Sequence, residues 1–397
     1  MKDRNGTFCT VFPGYQDFHF YKDPGQVPYR FSKLGYTSTL VCYGRRHDFP
    51  ETEKYLKITC ITDRNLSRKF NLGIIFYLLC NSRKINILNT FHLTWSSLLF
   101  VFIYKVINRK GFAYIKLDNC AFSGIYPWEI DVEKPRSGHI RDVHFKRRLK
   151  SCIARRLLIK KADLWSIEDE YSKDLFELKY SFFKGKLITV YNGHTSDLPG
   201  AVHLSNFVDK EDIIMTAGRL GTFQKATDVL LDAFKIVAAK SKYNLHLAGI
   251  IEPSFQSYID KYRQANPSLN SRVVFHGPLG REELQRLYCR SKLFCMPSRY
   301  EGLAIVFPEA MYYMNAIVTT GNVSLKPLID KFRVGLVVEK NNPEDLAEAL
   351  LKLINEQKER EQMAHRAHEV SSTLLNWDNI IKTLQAEINS RLNQRKG

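Results

Sequence analysis

What most constrains this chain is a rhythm that runs twice. Short apolar runs alternate with longer segments of helical period. In the first half the spacing predicts strands over 7–12, 38–43, 57–61, 85–89, 113–117, 164–167 and 187–191, with helices over 69–80, 96–109, 141–162 and 173–183. The series restarts with strands over 213–217, 244–248, 272–276, 293–296, 317–320 and 336–338. Between them the pattern predicts helices over 225–240, 254–264, 281–291, 305–315 and 326–332. From Pro343 onward the pattern is helical with one break near Leu375-Asn376-Trp377. Strand–helix alternation at this spacing implies βαβ units and a mostly parallel sheet. A chain of 397 residues also exceeds what one hydrophobic core usually serves. The expectation is therefore two doubly wound α/β domains, over 1–198 and 199–374, followed by a C-terminal helix over 375–397. The irregular stretch 198–209, with Pro199-Gly200, reads as the linker. Ligands of such sheets lie at the carboxyl ends of the strands, so the crevice between two facing domains is the expected site.

Charge narrows the partners. Lys+Arg number 59 and Asp+Glu 41, and residues 1–197 carry a net +14 of the total +18. Such a field favours a polyanion: anionic lipid, nucleic acid or a phosphorylated substrate. The segment 141–162 holds nine basic residues and one acid, Asp142, at imperfect amphipathic spacing. It reads as a membrane-surface helix, or as a solvated or phosphate-contacting one. No nucleic-acid-binding motif accompanies the charge, so nucleic acid is not expected. The eight cysteines form no CxxC pair, and several sit in apolar runs such as FCTVF and LFCMP. They read as small buried hydrophobes of a reducing, cytoplasmic compartment, with no metal spacing among them. The N-terminus lacks a signal-peptide core, and no apolar run approaches the ~20 residues of a spanning helix.

Two loops carry the chemistry. In AGRLGTFQKATDVLLDAF, residues 217–234, Gly218 closes a strand and Arg219 and Lys225 flank the strand-to-helix loop. Two fixed cations there suit a diphosphate, and a cation at a helix N-terminus wants an anion because the macrodipole disfavours it. In PSRYEGLAIVFPEAMYYMNA, residues 297–316, Glu301-Gly302 makes a turn into a helix starting near Ala304 or Ile305. The amides of Leu303, Ala304 and Ile305 would form an anion site at that terminus. Glu309 lies eight residues after Glu301, a little over two helical turns. Its apolar neighbours demand a partner for a buried carboxylate, and a sugar diol would accept the role.

The succession GRLGTFQK, LHLAG, VVFHGPLGREELQRLY, CMPSRYEGLAIVFPEAM and GLVVEKNNPEDLAEAL resembles glycosyltransferase family 4 from about Asp212 to Lys382. The resemblance implies a GT-B fold of two Rossmann-like domains and a C-terminal helix crossing back to the first. It also implies a nucleotide-sugar donor and transfer with retention at the anomeric carbon, with no metal or other cofactor. By position, Arg219 and Lys225 match the family's diphosphate-binding pair, Glu301 the first Glu of its Glu-x7-Glu motif, and Glu309 the second, on the ribose. Gly218 and Gly302 through Ile305 match the donor loops. The chain departs from the family with Lys225-Ala226 for Lys-Gly and Leu303-Ala304 for Phe-Gly, and Ala at a position of positive φ would be strained.

The first half matches by rhythm, and by KDPGQVPYRFSKLGYTSTLVCYG, residues 22–44, and VYNGHTSD, residues 190–197. Gly25 and Asn192 are thereby acceptor-side residues, although both segments also read as plain turns. Where many members place a His, this chain has Lys116-Leu117-Asp118-Asn119. Asp118, at a strand end, is thus an acceptor contact or base, or only a strand-terminating turn. His92, after INILNTF, is the second choice. The resulting expectation is a cytoplasmic enzyme peripheral to the inner face of a bacterial membrane. It would transfer a sugar to a saccharide or lipid-linked saccharide in surface polysaccharide synthesis. A GT-B sugar-nucleotide epimerase or hydrolase, or a non-enzymatic basic scaffold, are the rival readings.

Overall fold

The computed structural model describes residues 5–44, 55–62, 71–117, 158–204 and 206–395. They form two compact units. The first comprises Met1–Tyr191 with Trp377–Gly397, the second Asn192–Asn376. The chain therefore passes from one unit to the other at 191/192, and residues 192–198, grouped with the N-terminal domain by the sequence, lie in the second unit.

In the first unit the strands are β1 (Thr7–Val11), β2 (Thr37–Tyr43), β3 (Leu56–Ile61), β4 (Ile87–Phe91), β5 (Phe112–Lys116), β6 (Leu164–Ile167) and β7 (Leu187–Thr189). They pair in parallel in the order β3-β2-β1-β4-β5-β6-β7. The helices are α1 (Asp23–Lys33), α2 (Leu72–Asn81), α3 (Trp95–Ile107) and α4 (Glu170–Lys179). Because strand-to-strand crossovers are right-handed, the sense of travel along the sheet decides the face. α1 connects β1 to β2 in one direction, and α2 and α3 connect β3 to β4 and β4 to β5 in the other. Packing agrees: Ile74 and Leu78 of α2 and Leu98, Val101 and Tyr104 of α3 share a core with Leu88 and Ile115. On the opposite face Phe8, Phe31 and Phe112 pack with Trp377, Ile381, Leu384 and Ile388 of the C-terminal helix, α12 (Trp377–Gln394). A buried Arg30 reaches Asp378 at 2.8 Å and ties α1 to α12.

The second unit has β8 (Glu211–Ala217), β9 (Asn244–Ala248), β10 (Val273–Gly277), β11 (Ser291–Met296), β12 (Ala316–Thr320) and β13 (Gly335–Val338), all parallel, in the order β10-β9-β8-β11-β12-β13. Its helices are α5 (Thr227–Lys240), α6 (Gln256–Ala265), α7 (Arg281–Arg290), α8 (Val306–Tyr312), α9 (Lys326–Phe332), α10 (Pro343–Asn355) and α11 (Gln357–Thr373). The helical tail has two breaks rather than the one expected: besides that before Trp377, the helix stops at Asn355 and restarts at Gln357. Asn342 caps α10 by accepting from Asp345 N–H at 3.0 Å, with Pro343 at the first helical position. Each unit is thus a Rossmann-like doubly wound domain, in line with the fold the resemblance implies.

Candidate functional site

In the second sheet the strand order reverses between β8 and β11. The loops after these two strands rise side by side at the carboxyl edge, where ligands of such sheets bind. They are residues 218–226 and 297–305, the two segments with the richest chemistry in the sequence.

Arg299 stitches these loops together. Its backbone N–H donates to the Gln224 carbonyl at 2.8 Å. Its guanidinium donates to the Phe223 carbonyl at 2.8 Å and to Asp228 at 2.7 Å, and lies 4.5 Å from the Phe223 ring centroid. In this frame the Lys225 ammonium pairs directly with the Glu301 carboxylate, the two side chains 12% and 11% exposed. Gln224 bridges the rest: it accepts from Arg219 Nη2 at 3.1 Å and donates to Glu301 Oε1 at 3.2 Å. Arg219, Gln224, Glu301 and Lys225 form one connected cluster with two cations and one carboxylate. Its surplus charge is positive, as an anionic ligand requires.

Ala226 shows what this loop demands. It adopts φ 49°, ψ 44°, left-handed backbone that disfavours a Cβ by ~1–2 kcal/mol. The chain accepts this because the alanine methyl is fully buried against the core under α5, and one buried carbon offsets ~0.8 kcal/mol. Gly218 is pressed from behind by Gly249, where a Cβ would lie 1.8 Å from the Gly218 carbonyl oxygen.

Glu309 sits apart from this cluster. Tyr288 Oη donates to its Oε2 at 3.5 Å, a long contact. Burial pushes its pKa up to about 7, with Arg281 and Tyr288 acting in the opposite direction. α8 begins at Val306, just past the Gly302–Ile305 turn, and Leu303 is buried. The Leu303 carbonyl accepts from Asn192 Nδ2 at 3.1 Å. Asn192 therefore braces the second unit's own loop.

In the first unit the order reverses between β1 and β4. His92 follows β4 with φ 62°, a strained conformation for a non-glycine residue, and its N–H donates to the Lys116 carbonyl at 2.9 Å. The Phe12 ring after β1 lies 5.8 Å from the His92 ring and 5.1 Å from that of His19. His19 Nδ1 accepts from Gln16 N–H at 2.9 Å, so the neutral ring carries its proton on Nε2. Burial and the nearby Lys22 lower its pKa. Gly25 is required by a close approach, since a Cβ there would lie 2.4 Å from Phe20 Cα. Asp118 lies outside the described residues, as does 141–157 of the basic segment. Two residues before Asp118, Lys116 is fully buried, with Asp23 at 3.3 Å and Glu168 at 3.8 Å. Burial opposes its charge, but the two carboxylates prevail and hold its pKa above the ordinary value.

The sequence did not single out Gln224, Arg299, His19 or Lys116. Gln224 lies inside the quoted GRLGTFQK run, and Arg299 lies two residues before Glu301, but neither type nor spacing marks them. Among the described residues no group of three or more His, Cys, Asp or Glu could hold a metal ion, and no helix is long and apolar enough to cross a membrane.

Residues 204–370 match the family model described as glycosyl transferases group 1. An uncharacterized 41.2 kDa protein in the cps region of Klebsiella pneumoniae is 29% identical over 289 residues, 70% of this chain and 72% of that one. The capsular polysaccharide biosynthesis glycosyltransferase CapM of Staphylococcus aureus is 25% identical over 44% of this chain and 45% of its own length. Among solved structures, Anabaena HepE in complex with UDP and glucose superposes with a TM-score of 0.68 at 13% identity, covering 97% of this chain and all of that one.

Proposed function

We propose that this chain is a metal-independent, retaining glycosyltransferase that moves a sugar from a nucleoside-diphosphate donor to a saccharide or lipid-linked saccharide. The observation that carries the reading is the Arg219–Gln224–Glu301–Lys225 cluster at the switch point of the second sheet. The transferred sugar's C1–O bond breaks and negative charge collects on the departing diphosphate. Preorganised cations at that position lower the barrier by stabilising the charge as it develops. Lys225 and Arg219 take the phosphate oxygens, and Glu301 keeps Lys225 aimed while facing the donor sugar. The turn Gly302–Ile305 lends its amides. Glu309, as its carboxylate, accepts from the ribose hydroxyls. On the first unit, Asp118 is the first candidate base and His92 the second, while His19, its Nδ1 engaged by Gln16 N–H, offers Nε2–H to the acceptor at the β1/β4 switch point. HepE, which was solved with UDP, makes a uridine nucleotide the first donor to test. CapM, named for capsular polysaccharide biosynthesis, supports a place in bacterial surface polysaccharide assembly, and the reading places the enzyme at the cytoplasmic membrane face. The test is calorimetry against UDP-, GDP- and ADP-sugars, followed by transfer assays with NMR of the product anomer. Saturable binding of one class, lost in Lys225→Ala and Glu309→Ala variants that remain folded by circular dichroism, is expected. No binding to any nucleotide sugar overturns the reading.

A further inference from the structure

The outer surfaces of α2 and α3 are unlike those of an ordinary surface helix. α2 contains no charged residue, and α3 contains only Lys105, which is engaged with Asp163 at 3.0 Å and the Gly111 carbonyl at 2.7 Å. Each helix buries one apolar stripe against the sheet, Ile74 and Leu78 on α2 and Leu98, Val101 and Tyr104 on α3. Each then presents a second apolar stripe outward. On α2 it is Leu72, Phe76 and Leu79, exposed by 53, 68 and 54%. On α3 it is Leu99, Phe102 and Val106, exposed by 37, 36 and 58%. The spacings are four and three residues, one helical face in each case. The two helices pack against each other on the same face of the sheet, so the stripes lie side by side. Together they form an apolar patch on the order of 500 Å², near the upper end of what a monomer shows. A helix apolar all round belongs against something other than water.

Charge says what that is. From Asn71 to Leu117 there is no acidic residue, against six basic ones. Arg83 and Lys84 at the end of α2, and Arg109 and Lys110 just past α3, are exposed. Parallel neighbours put both pairs at the same end of the patch. Within residues 71–117 the apolar face is bordered by cations and by no carboxylate, which matches the interface of an anionic bilayer. A protein interface carries a rim of mixed polarity, whereas the rim within residues 71–117 is cationic alone. At 10 and 13 residues the helices are too short to span, so they lie in the interfacial plane. We propose that the α2–α3 face seats the first unit on anionic lipid, with Phe76, Leu79 and Val106 entering the acyl boundary and the four cations meeting the headgroups. The proposal rests on the membrane reading above and places a contact on these two helices, whereas most of segment 141–162 lies outside the described residues.

Flotation of the full chain with phosphatidylcholine vesicles, with and without phosphatidylglycerol, tests it. The expected result is binding that requires phosphatidylglycerol. It should fall about tenfold or more in the triple variant Phe76→Gln, Leu79→Gln, Val106→Gln, with circular dichroism melting unchanged because these side chains are already exposed. The quadruple variant Arg83→Gln, Lys84→Gln, Arg109→Gln, Lys110→Gln should lose the dependence on phosphatidylglycerol. If wild type floats and the triple variant floats equally, the face is wrong while membrane attachment stands. If wild type does not float, both fail. If sedimentation shows a wild-type dimer that the triple variant dissociates without change in lipid binding, the face joins two copies and the proposal is overturned.

Discussion

Replacing Lys225 by methionine removes a charge while keeping most of the side-chain volume, and the surroundings set the size of the effect. Lys225 and Glu301 are each only about an eighth exposed, so screening by water is incomplete. Unit charges about 4 Å apart in such an environment interact by ~4 kcal/mol before desolvation is counted. A charge-assisted hydrogen bond contributes ~1.5–3 kcal/mol net. The variant loses that bond to the donor's phosphate and leaves Glu301 facing the same anion without its counter-cation. Both effects oppose binding, and together they come to ~3 kcal/mol, or roughly a hundredfold in Kd. Adding Glu301→Gln removes the repulsion but not the lost bond, so the double variant should recover roughly tenfold. Calorimetry with the tightest nucleotide sugar reads both numbers. Urea unfolding should show the same order, with Lys225→Met least stable and the double variant partly restored. A Lys225→Met protein that binds as tightly as wild type, or a double variant no better than the single one, refutes the assignment of this pair to the diphosphate.

Other expectations follow from the same loops. Gly249→Ala sets a Cβ 1.8 Å from the Gly218 carbonyl oxygen at φ 133°. It should cost ~3 kcal/mol or more in urea unfolding and weaken donor binding through displacement of Arg219. For Ala226→Gly, relief of left-handed strain (~1–2 kcal/mol) is offset by the lost buried methyl (~0.8) and the freer unfolded chain (~0.4–1). The urea midpoint should stay nearly unchanged, whereas Ala226→Val, β-branched at φ 49°, should lower stability by ~2 kcal/mol or more. Glu309 has its pKa pushed up to about 7 from 4.5, so between these values the native state binds more protons than the unfolded one. Stability should therefore fall as pH rises through that window and level off above it, and Glu309→Gln should flatten that part of the profile. Donor binding should strengthen as pH rises through 7, because the carboxylate is the form that accepts from the ribose hydroxyls.

Periodicity sufficed to locate most strands, because a central parallel strand is apolar throughout and stands out from an amphipathic helix. It did not locate the second break in the tail, where Glu356 alone separates two helices and carries no Gly or Pro signal. At the candidate site, Arg219, Lys225 and Glu301 were legible because cations and a carboxylate flanking strand ends have few structural uses. Gln224 and Arg299 were not, since a bridging amide and a loop-stitching guanidinium acquire meaning only when two loops 77 residues apart in sequence (Gln224 to Glu301) are brought together by sheet order. Ala226 was legible in a different way. The glycine that the family often has there left a positive φ open, and the backbone has one. Lys116 was not legible either. A lysine at the end of an apolar strand looks like a boundary until Asp23 and Glu168 are seen around it.

The first unit is not a continuous stretch of chain. Trp377, Ile381, Leu384 and Ile388 fill the same core as Phe8 and Phe31, although more than three hundred residues separate them. A ribosome makes the seven strands of that sheet early and the helix that closes one side of it last. During synthesis the sheet's α1 side therefore waits, apolar and covered only by α1, while the whole second unit is built and folded. The half of the molecule that is translated first is finished last, and any chaperone that attends this protein should be found holding its beginning.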